Sequence, residues 1–268
     1  MKNMANSLIN GKPMINIMVP TIGYVASHEA IMEHNARVDK DYKGLDVLKP
    51  FNYHSKACVV SGSNIPGTAL LFQKTLSQAG YRLAGLQDLE DARAINQRNS
   101  NLGLHTQGVY VDLGIVIRAN TDRTEHIVNQ IRKRNPKLAT LKQPVAILLS
   151  GIEPVIGGPL DGLSYNLLEN AVIYSAPEFA GKNKSFSRVV NGRLKLDSKG
   201  NRAIYNSALD ISRLYLGRYL NVVSYSEYLA DSVSDGQVVC VSGEATDAKI
   251  LREYQKNNVP PRLKPQKP

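Results

Sequence analysis

The sequence predicts an α/β fold: a layered sheet with helices from alternating strand and helix units, ending in a basic proline-rich C-terminal arm. Three observations predict it. Strand-like runs recur at 57–60, 81–85, 108–118 and 144–151, β-branched in all but the second. Between them, 68–79 and 125–134 carry apolar residues at helical spacing, and 89–98 is a third helical stretch. The joints are rich in Ser, Gly, Asn and Pro, the residues that end both kinds of element.

Taken in order, Met14–Pro20 reads as a short strand and Ser27–Val38 as a helix capped by Ser27, with Glu29 and Glu33 near its positive end. Residues 40–53 read as connector. The strand at Ala57–Val60 is bounded by Ser61-Gly62-Ser63, and the helix at Thr68–Ala79 has Leu70, Leu71, Phe72, Leu76 and Ala79 as its apolar stripe. Gly80 suits the position just past its carboxyl end. A strand at 81–85 follows, then Asp88 as cap of a helix over Leu89–Arg98, and a polar loop over 99–108.

Gly108–Arg118 is the longest β-rich run, and it leads through 120–124 into a helix over Glu125–Arg134, stopped by Asn135-Pro136. Pro144–Gly151 is a buried strand, and Gly151–Pro159 reads as a loop and a possible boundary. Leu163–Tyr174 is apolar without clean periodicity, and 180–202 reads as a basic hairpin or excursion. Ile204, Ala208, Ile211, Leu214, Tyr215 and Tyr219 fall on one face of a helix over Ala203–Leu220. A strand at 222–225, a short helix at Ser226–Ser232, a strand at 237–243 and a helix at Asp247–Lys256 complete the pattern. The organisation expected is an N-terminal segment (1–43), an α/β core (44–152), a continuation or second subdomain (153–255) and a flexible basic tail (256–268).

The chain has 268 residues and a net charge of +10, enough length for a sizeable core. The charge is concentrated: 128–152 contribute +5, 182–204 contribute +6 and 249–268 contribute +5. Such patches suit an anionic partner, nucleic acid or an acidic protein, although a charged face also serves solubility. With 13 Tyr, 4 Phe and no Trp, aromatic surfaces must be built from tyrosine. Cys58 and Cys240 sit in apolar runs as expected buried thiols, and no zinc-ligand spacing exists. The start of the chain lacks the apolar stretch of a signal peptide, and no run is long enough for a transmembrane segment. The expectation is a soluble, cytoplasmic protein.

Candidate sites are few. Ser61–Gly67 can present backbone N–H groups to a phosphate, but it matches neither common nucleotide loop, and turn chemistry accounts for its Gly, Asn and Pro. His28, His34, His54, His105 and His126 are scattered and read as isolated surface residues rather than metal ligands. Asp112 interrupts an apolar strand. It either faces solvent or faces inward with a partner. Asp112 or Asp122 would be the carboxylate nearest a ligand at 61–67. Arg132-Lys133-Arg134, with Arg262, Lys264 and Lys267 of the tail, are candidate phosphate contacts, and 265–268 form a PxxP string. No catalytic residue, cofactor or metal is assigned.

The succession Lys56-Ala-Cys-Val-Val, Leu70–Gly80, Gly80-Tyr-Arg-Leu-Ala, Asp88–Arg98 and Val109–Arg118 is similar to the superfamily of the curli-secretion pore protein and the TolB amino-terminal domain, over residues 56–122. The resemblance implies a non-enzymatic assembly protein, since members act as pores, scaffolds or activators in envelope assemblies. The leading expectation is therefore a structural or assembly protein that forms a homo-oligomer or a multi-protein assembly. The alternatives are an enzyme binding a phosphorylated or nucleotide ligand at Ser61–Gly67, and non-specific nucleic-acid binding through the basic patches.

Overall fold

The structure, a computed structural model, describes residues 8–9, 12–13, 21–24, 28–42, 52–54, 59–61, 64–77, 81–90, 110–230 and 236–242. The chain divides into two compact units, Met1–Thr21 with Ser242–Pro268, and Ile22–Val241. In the first, β1 (Leu8–Ile9) pairs antiparallel with β2 (Lys12–Pro13). The expected strand at 14–20, the helix at 247–256 and the proline-rich tail lie outside the described residues.

The second unit holds the folded core. Its elements are β3 (Thr21–Tyr24), α1 (His28–Asp41), β4 (Asn52–His54), β5 (Val59–Ser61), α2 (Ile65–Leu71), β6 (Tyr81–Leu83), a helical segment α3 (86–90), β7 (Tyr110–Ile117) and α4 (Glu125–Arg134). Then follow β8 (Val145–Leu148), β9 (Ile152–Leu160), β10 (Leu163–Leu167), β11 (Ile173–Ser175), β12 (Lys184–Val190), β13 (Arg193–Leu196), β14 (Arg202–Asn206), β15 (Ile211–Leu216), β16 (Val222–Ser224), β17 (Gly236–Gln237) and β18 (Val239–Ser242). Helices and strands are both present, as expected for α/β. The proportions differ from the expected alternation, because among the described residues no α-helix follows α4.

One 11-stranded mixed sheet runs β13-β12-β14-β16-β15-β7-β17-β5-β4, with β8 alongside β7 and β11 alongside β8. Strand β7 is its axis. It pairs with β15 on one side, and with β17 and β8 on the other. Residues 111–117 are all buried, which is why the strand reads as an almost continuous apolar run.

Across β7 and β15 the register passes from Leu214↔Gly114 to Tyr215↔Asp112, so β7 carries one extra residue. A bulge of this kind reverses which face each side chain takes. Val111 and Leu113 therefore join a core with Leu214, Val222, Ile204 and Phe186, whereas Ile115 and Ile117 join the opposite core with Ile147, Ile211 and the helices. Gly114 makes this possible. Its φ is 155°, and a Cβ there would lie 2.0 Å from the Ile147 carbonyl oxygen.

On the second face, Ile127, Val128 and Ile131 form the apolar stripe of α4, and Ile65 and Ala69 come from α2. Each fully buried isoleucine contributes about 1.5–3 kcal/mol relative to exposure. The helix at 125–134 matches its expected bounds. The helix expected at 68–79 begins earlier, at Ile65, because Asn64 caps it: its Oδ1 accepts the Gly67 N–H at 2.7 Å. It continues as a π-helical turn over Phe72–Leu76. Asp88 is not the cap of the next helix but its third residue. Its carboxylate accepts the Gly85 N–H at 2.8 Å, the backward half of a capping box.

Three expectations are corrected. Gly151–Pro159 is no loop: residues 152–160 form β9, of which 152–156 pair with 163–167, and Leu163, Tyr165 and Leu167 alternate inward. The pair turns at Asp161-Gly162, both at positive φ, which is a two-residue hairpin signal readable in the sequence. Asn191-Gly192 does the same between β12 and β13, so 180–202 does contain a hairpin. Ala203–Leu220 is not a helix but β14, a turn and β15. The Leu209 N–H bonds to Ser207 Oγ and the Ile211 N–H to Asp210 Oδ1, closing the turn locally. All six residues of β15 are buried, so its run lacks the alternation that marks a half-buried strand. Of the helix expected at 226–232, the described residues 226–230 form no helix.

Replacing Gly114 by Ala is expected to destabilise the fold by more than about 3 kcal/mol, because the added methyl meets backbone rather than a movable side chain. Urea unfolding of the variant against the parent measures it.

Candidate functional site

The bulge places Asp112 on the same face as Ile115, and β15 places Arg213 on the same face as Ile211. The two meet. Arg213 Nε donates to Asp112 Oδ1 at 2.5 Å and Nη2 donates to Oδ2 at 2.9 Å, a bidentate fork, with side chains 2% and 0% exposed. Arg213 is the largest fully buried side chain among the described residues.

Aromatic rings surround the pair. The Arg213 guanidinium lies 5.2 Å from the Tyr215 ring centroid, and Tyr215 packs on Tyr110 at 5.7 Å and 56°. Tyr215 also bonds to Tyr225. Burial first, then that bond, raises the Tyr215 pKa above its ordinary value, while Arg213 pulls it down. Strand register sets a row across the sheet, Tyr205↔Val223, Val223↔Tyr215 and Tyr215↔Asp112, running from an exposed tyrosine to the buried pair.

The opposite face carries Arg118, which donates to Ser212 Oγ at 2.8 Å, to Phe179 O at 3.2 Å, and to Ser224. Burial lowers its pKa to about 10. Near the sheet's outer part, Arg193 stacks 3.6 Å over the Tyr174 ring. Burial, with the Glu178 charge, pushes the Tyr174 phenol up to about 12, and Arg193 opposes this.

The sequence-predicted sites separate. Ser61 lies opposite Gln237, which lies opposite Val111, so the loop's first residue is two strands away from the residue beside Asp112. Gly62 and Ser63 are outside the described residues. Asn64 and the seven residues of α2 are buried, and Asn64 Nδ2 and Thr68 Oγ1 have no hydrogen-bond partner among the described residues. Asp122 is exposed in the turn after β7, at the end away from Asp112.

On α4, Arg134 is held by the carbonyls of Leu167 and Leu168 and Arg132 by Asn129, while Lys133 has no such partner among the described residues. A cleft of about 510 Å³ is lined by Arg134, Asn135, Leu138, Glu169, Ala171 and Ile173, a set that does not include Asp112. Cys58, His105, Arg262, Lys264, Lys267 and 265–268 lie outside the described residues. Cys240 is in β18, His28 opens α1, and His54 is in β4. His126 is exposed, with Nε2 2.9 Å from Asn166 Oδ1. His34 departs from the expected surface histidine: it is 3% exposed, and burial, helped by Arg37, lowers its pKa to about 4. Among the described residues no group of three or more His, Cys, Asp or Glu side chains is placed to hold a metal ion.

Arg213 was absent from the sequence-based candidates. A signal existed in the form of one acid inside the apolar run 109–117 and one base inside the apolar run 211–216. Both partners are out of water, and a desolvated fork of this kind neither accepts a substrate proton nor contacts a ligand. What it does is pin two adjacent strands. Compared with protein-family models, curated proteins and solved structures, the chain matches none.

Replacing Asp112 with Ala, or Arg213 with Met, is expected to cost about 3–5 kcal/mol each, because the survivor is left charged and buried. The double replacement Asp112→Leu with Arg213→Met is expected to cost far less than the sum, read from a urea double-mutant cycle. His34 generates a pH dependence. In the unfolded chain it binds a proton near its ordinary value, whereas the folded site resists protonation to about pH 4. Its contribution is intact above pH 6.5 and is lost as pH falls towards 4, by about 3 kcal/mol in all. Urea midpoints at pH 7.5 and 4.5 are expected to differ less in His34→Gln than in the parent.

Proposed function

We propose that the chain is a non-enzymatic structural or assembly protein that self-associates. The observation that carries this reading is the set of exposed tyrosines on β14, β16 and their flanks. Tyr205, Tyr219, Tyr225 and Tyr228 are 38%, 76%, 52% and 58% exposed. Tyrosine offers a large apolar ring at low entropic cost with a polar tip, and it is enriched where proteins meet.

Tyr219 adds a second argument. Its φ is 60° and Leu220 follows at 61°, so two bulky residues in succession occupy the left-handed region. Left-handed backbone disfavours bulky side chains, and strain retained in this way is characteristic of functional surfaces. Here it holds Leu220 in the core and Tyr219 out in solvent. The resemblance of residues 56–122 to the curli-secretion and TolB superfamily points in the same direction. No helix among the described residues is long and apolar enough to cross a membrane.

The alternative, a phosphorylated or nucleotide ligand at Ser61–Gly67, has in its favour the two partnerless polar atoms of Asn64 and Thr68. Against it, Asn64 Oδ1 is already committed to the helix cap and the α2 residues are buried. The assembly reading ranks first.

Light scattering after size exclusion, at two concentrations, tests it. A defined oligomer is expected, and the triple variant Tyr219→Ser, Tyr225→Ser, Tyr228→Ser is expected to shift the mass towards the monomer. A parent that remains monomeric at high concentration and recovers no partner would sink the proposal.

A further inference from the structure

The 182–204 segment has seven basic residues against Asp197, and the structure sorts them. Two are neutralised by carboxylates, one of them buried and one exposed. Arg202, which is 5% exposed, forms a fork with Glu90 at 2.7 and 3.0 Å, and Arg193 reaches Glu178 at 3.7 Å while bonding to Ser175 O. A third, Lys184, is spent on the carbonyls of Pro177 and Glu178. Four remain exposed with no acidic partner among the described residues: Lys182, Arg188, Lys195 and Lys199.

Arg188 and Lys195 stand directly opposite each other on β12 and β13. Cβ atoms so placed are about 4.5–5.5 Å apart, and like charges there destabilise a ribbon. The inward-facing residues of the same hairpin, Phe186, Val189 and Leu194, are buried, so both cations point outward. The turn carrying Lys199 is drawn against this strand pair, since the Asp197 N–H bonds to Ser185 O at 3.0 Å and a Cβ on Gly200 would meet the Phe186 backbone at 2.3 Å. Asp197 is occupied in that turn, its Oδ1 accepting the Lys199 N–H at 2.9 Å.

We propose that the outer face of the β12–β13 hairpin binds the phosphate backbone of nucleic acid without reading sequence. β12, from 184 to 190, extends roughly 20 Å, which matches about six phosphates of one duplex strand at ~3.4 Å each. Arg188 and Lys195 stand on that ribbon, Lys182 precedes it by two residues and Lys199 lies in the turn held at Ser185, with Ser185 and Ser187 as further phosphate-contact residue types. A two-stranded ribbon is also an element that a DNA groove admits. The rival basic face on α4 is depleted, because Arg132 donates to the Asn129 side chain and Arg134 holds the Leu167 and Leu168 carbonyls. The proposal is independent of the assembly reading, since it rests on residues outside the tyrosine surface.

Fluorescence anisotropy of the full chain with labelled duplex and single-stranded DNA of about 20 nucleotides, over ~50 to 200 mM salt, tests it. Arg188→Gln with Lys195→Gln is expected to weaken binding at least tenfold at low salt and to flatten the log–log salt slope by about 2. Lys133→Gln with Lys137→Gln, which removes the same charge from the α4 side, is expected to leave the slope nearly unchanged. The single variant Lys195→Glu separates binding from folding. It turns a repulsive cross-strand pair into an attractive one, so Tm is expected to hold or rise by about 1–2 °C while binding falls. Equal losses in the hairpin and α4 variants overturn the assignment, as does a parent that binds neither DNA. Equal retention on phosphatidylserine vesicles, or displacement of DNA by polyglutamate at matched charge, overturns nucleic acid as the partner.

Discussion

One constraint organises the larger unit: β7 must be buried on both faces and still carry a charge. A strand sealed between two cores cannot hydrate a carboxylate, so Asp112 has to find its counter-ion on a neighbouring strand. Arg213 supplies it from β15, one strand away and more than a hundred residues distant in sequence. The ion pair is compatible with only one register of β15 on β7. Because side-chain facing reverses with every single-residue slip, that register also decides which apolar residues enter which core.

The bulge at Gly114 is the second half of the same device. Without the extra residue, Val111 and Leu113 would face the same way as Ile115 and Ile117, and the β7 side chains would be divided unevenly between the two cores. With it, each core receives two or more β7 side chains, and α2, α4 and the β9–β10 hairpin close over the one that Ile115 and Ile117 enter. Buried ion pairs are weak sources of net stability but good sources of uniqueness. The inference for this chain is that Asp112 and Arg213 define the fold rather than perform chemistry, and this moves functional attention to the surface.

Two surfaces stand out, and they are made of different materials. The tyrosines around β14–β16 are apolar rings with hydroxyl tips, suited to another folded surface. The outer face of the β12–β13 hairpin is a row of cations with small polar residues between them, suited to a polyanion. They lie on adjacent parts of one sheet, so the proposed assembly and the proposed nucleic-acid contact would be built from neighbouring strands.

Local chemistry made much of this readable in advance. The spacing of Ile127, Val128 and Ile131 and the stop at Asn135-Pro136 bound α4; the run at 108–118 marked the longest buried strand; and Asp112 was conspicuous as the carboxylate inside it. Where the reading went astray, the information was not local. Ile211–Leu216 has helical-looking apolar spacing because both faces of an inner strand are covered, and coverage is a property of the partners. Asp161-Gly162 was a legible hairpin turn that the surrounding prolines and glycines obscured. His34 gave no sign of burial, because the residues that cover a helix face lie elsewhere in the chain. By itself, then, the sequence determined both ends of α4, the position of the longest buried strand and the place of a carboxylate within it, each fixed by interactions within a few residues. The tertiary structure alone decided the partner of that charge, the two-faced burial of β15 and the sorting of the 182–204 cations into paired and unpaired, because each depends on which distant strand lies alongside.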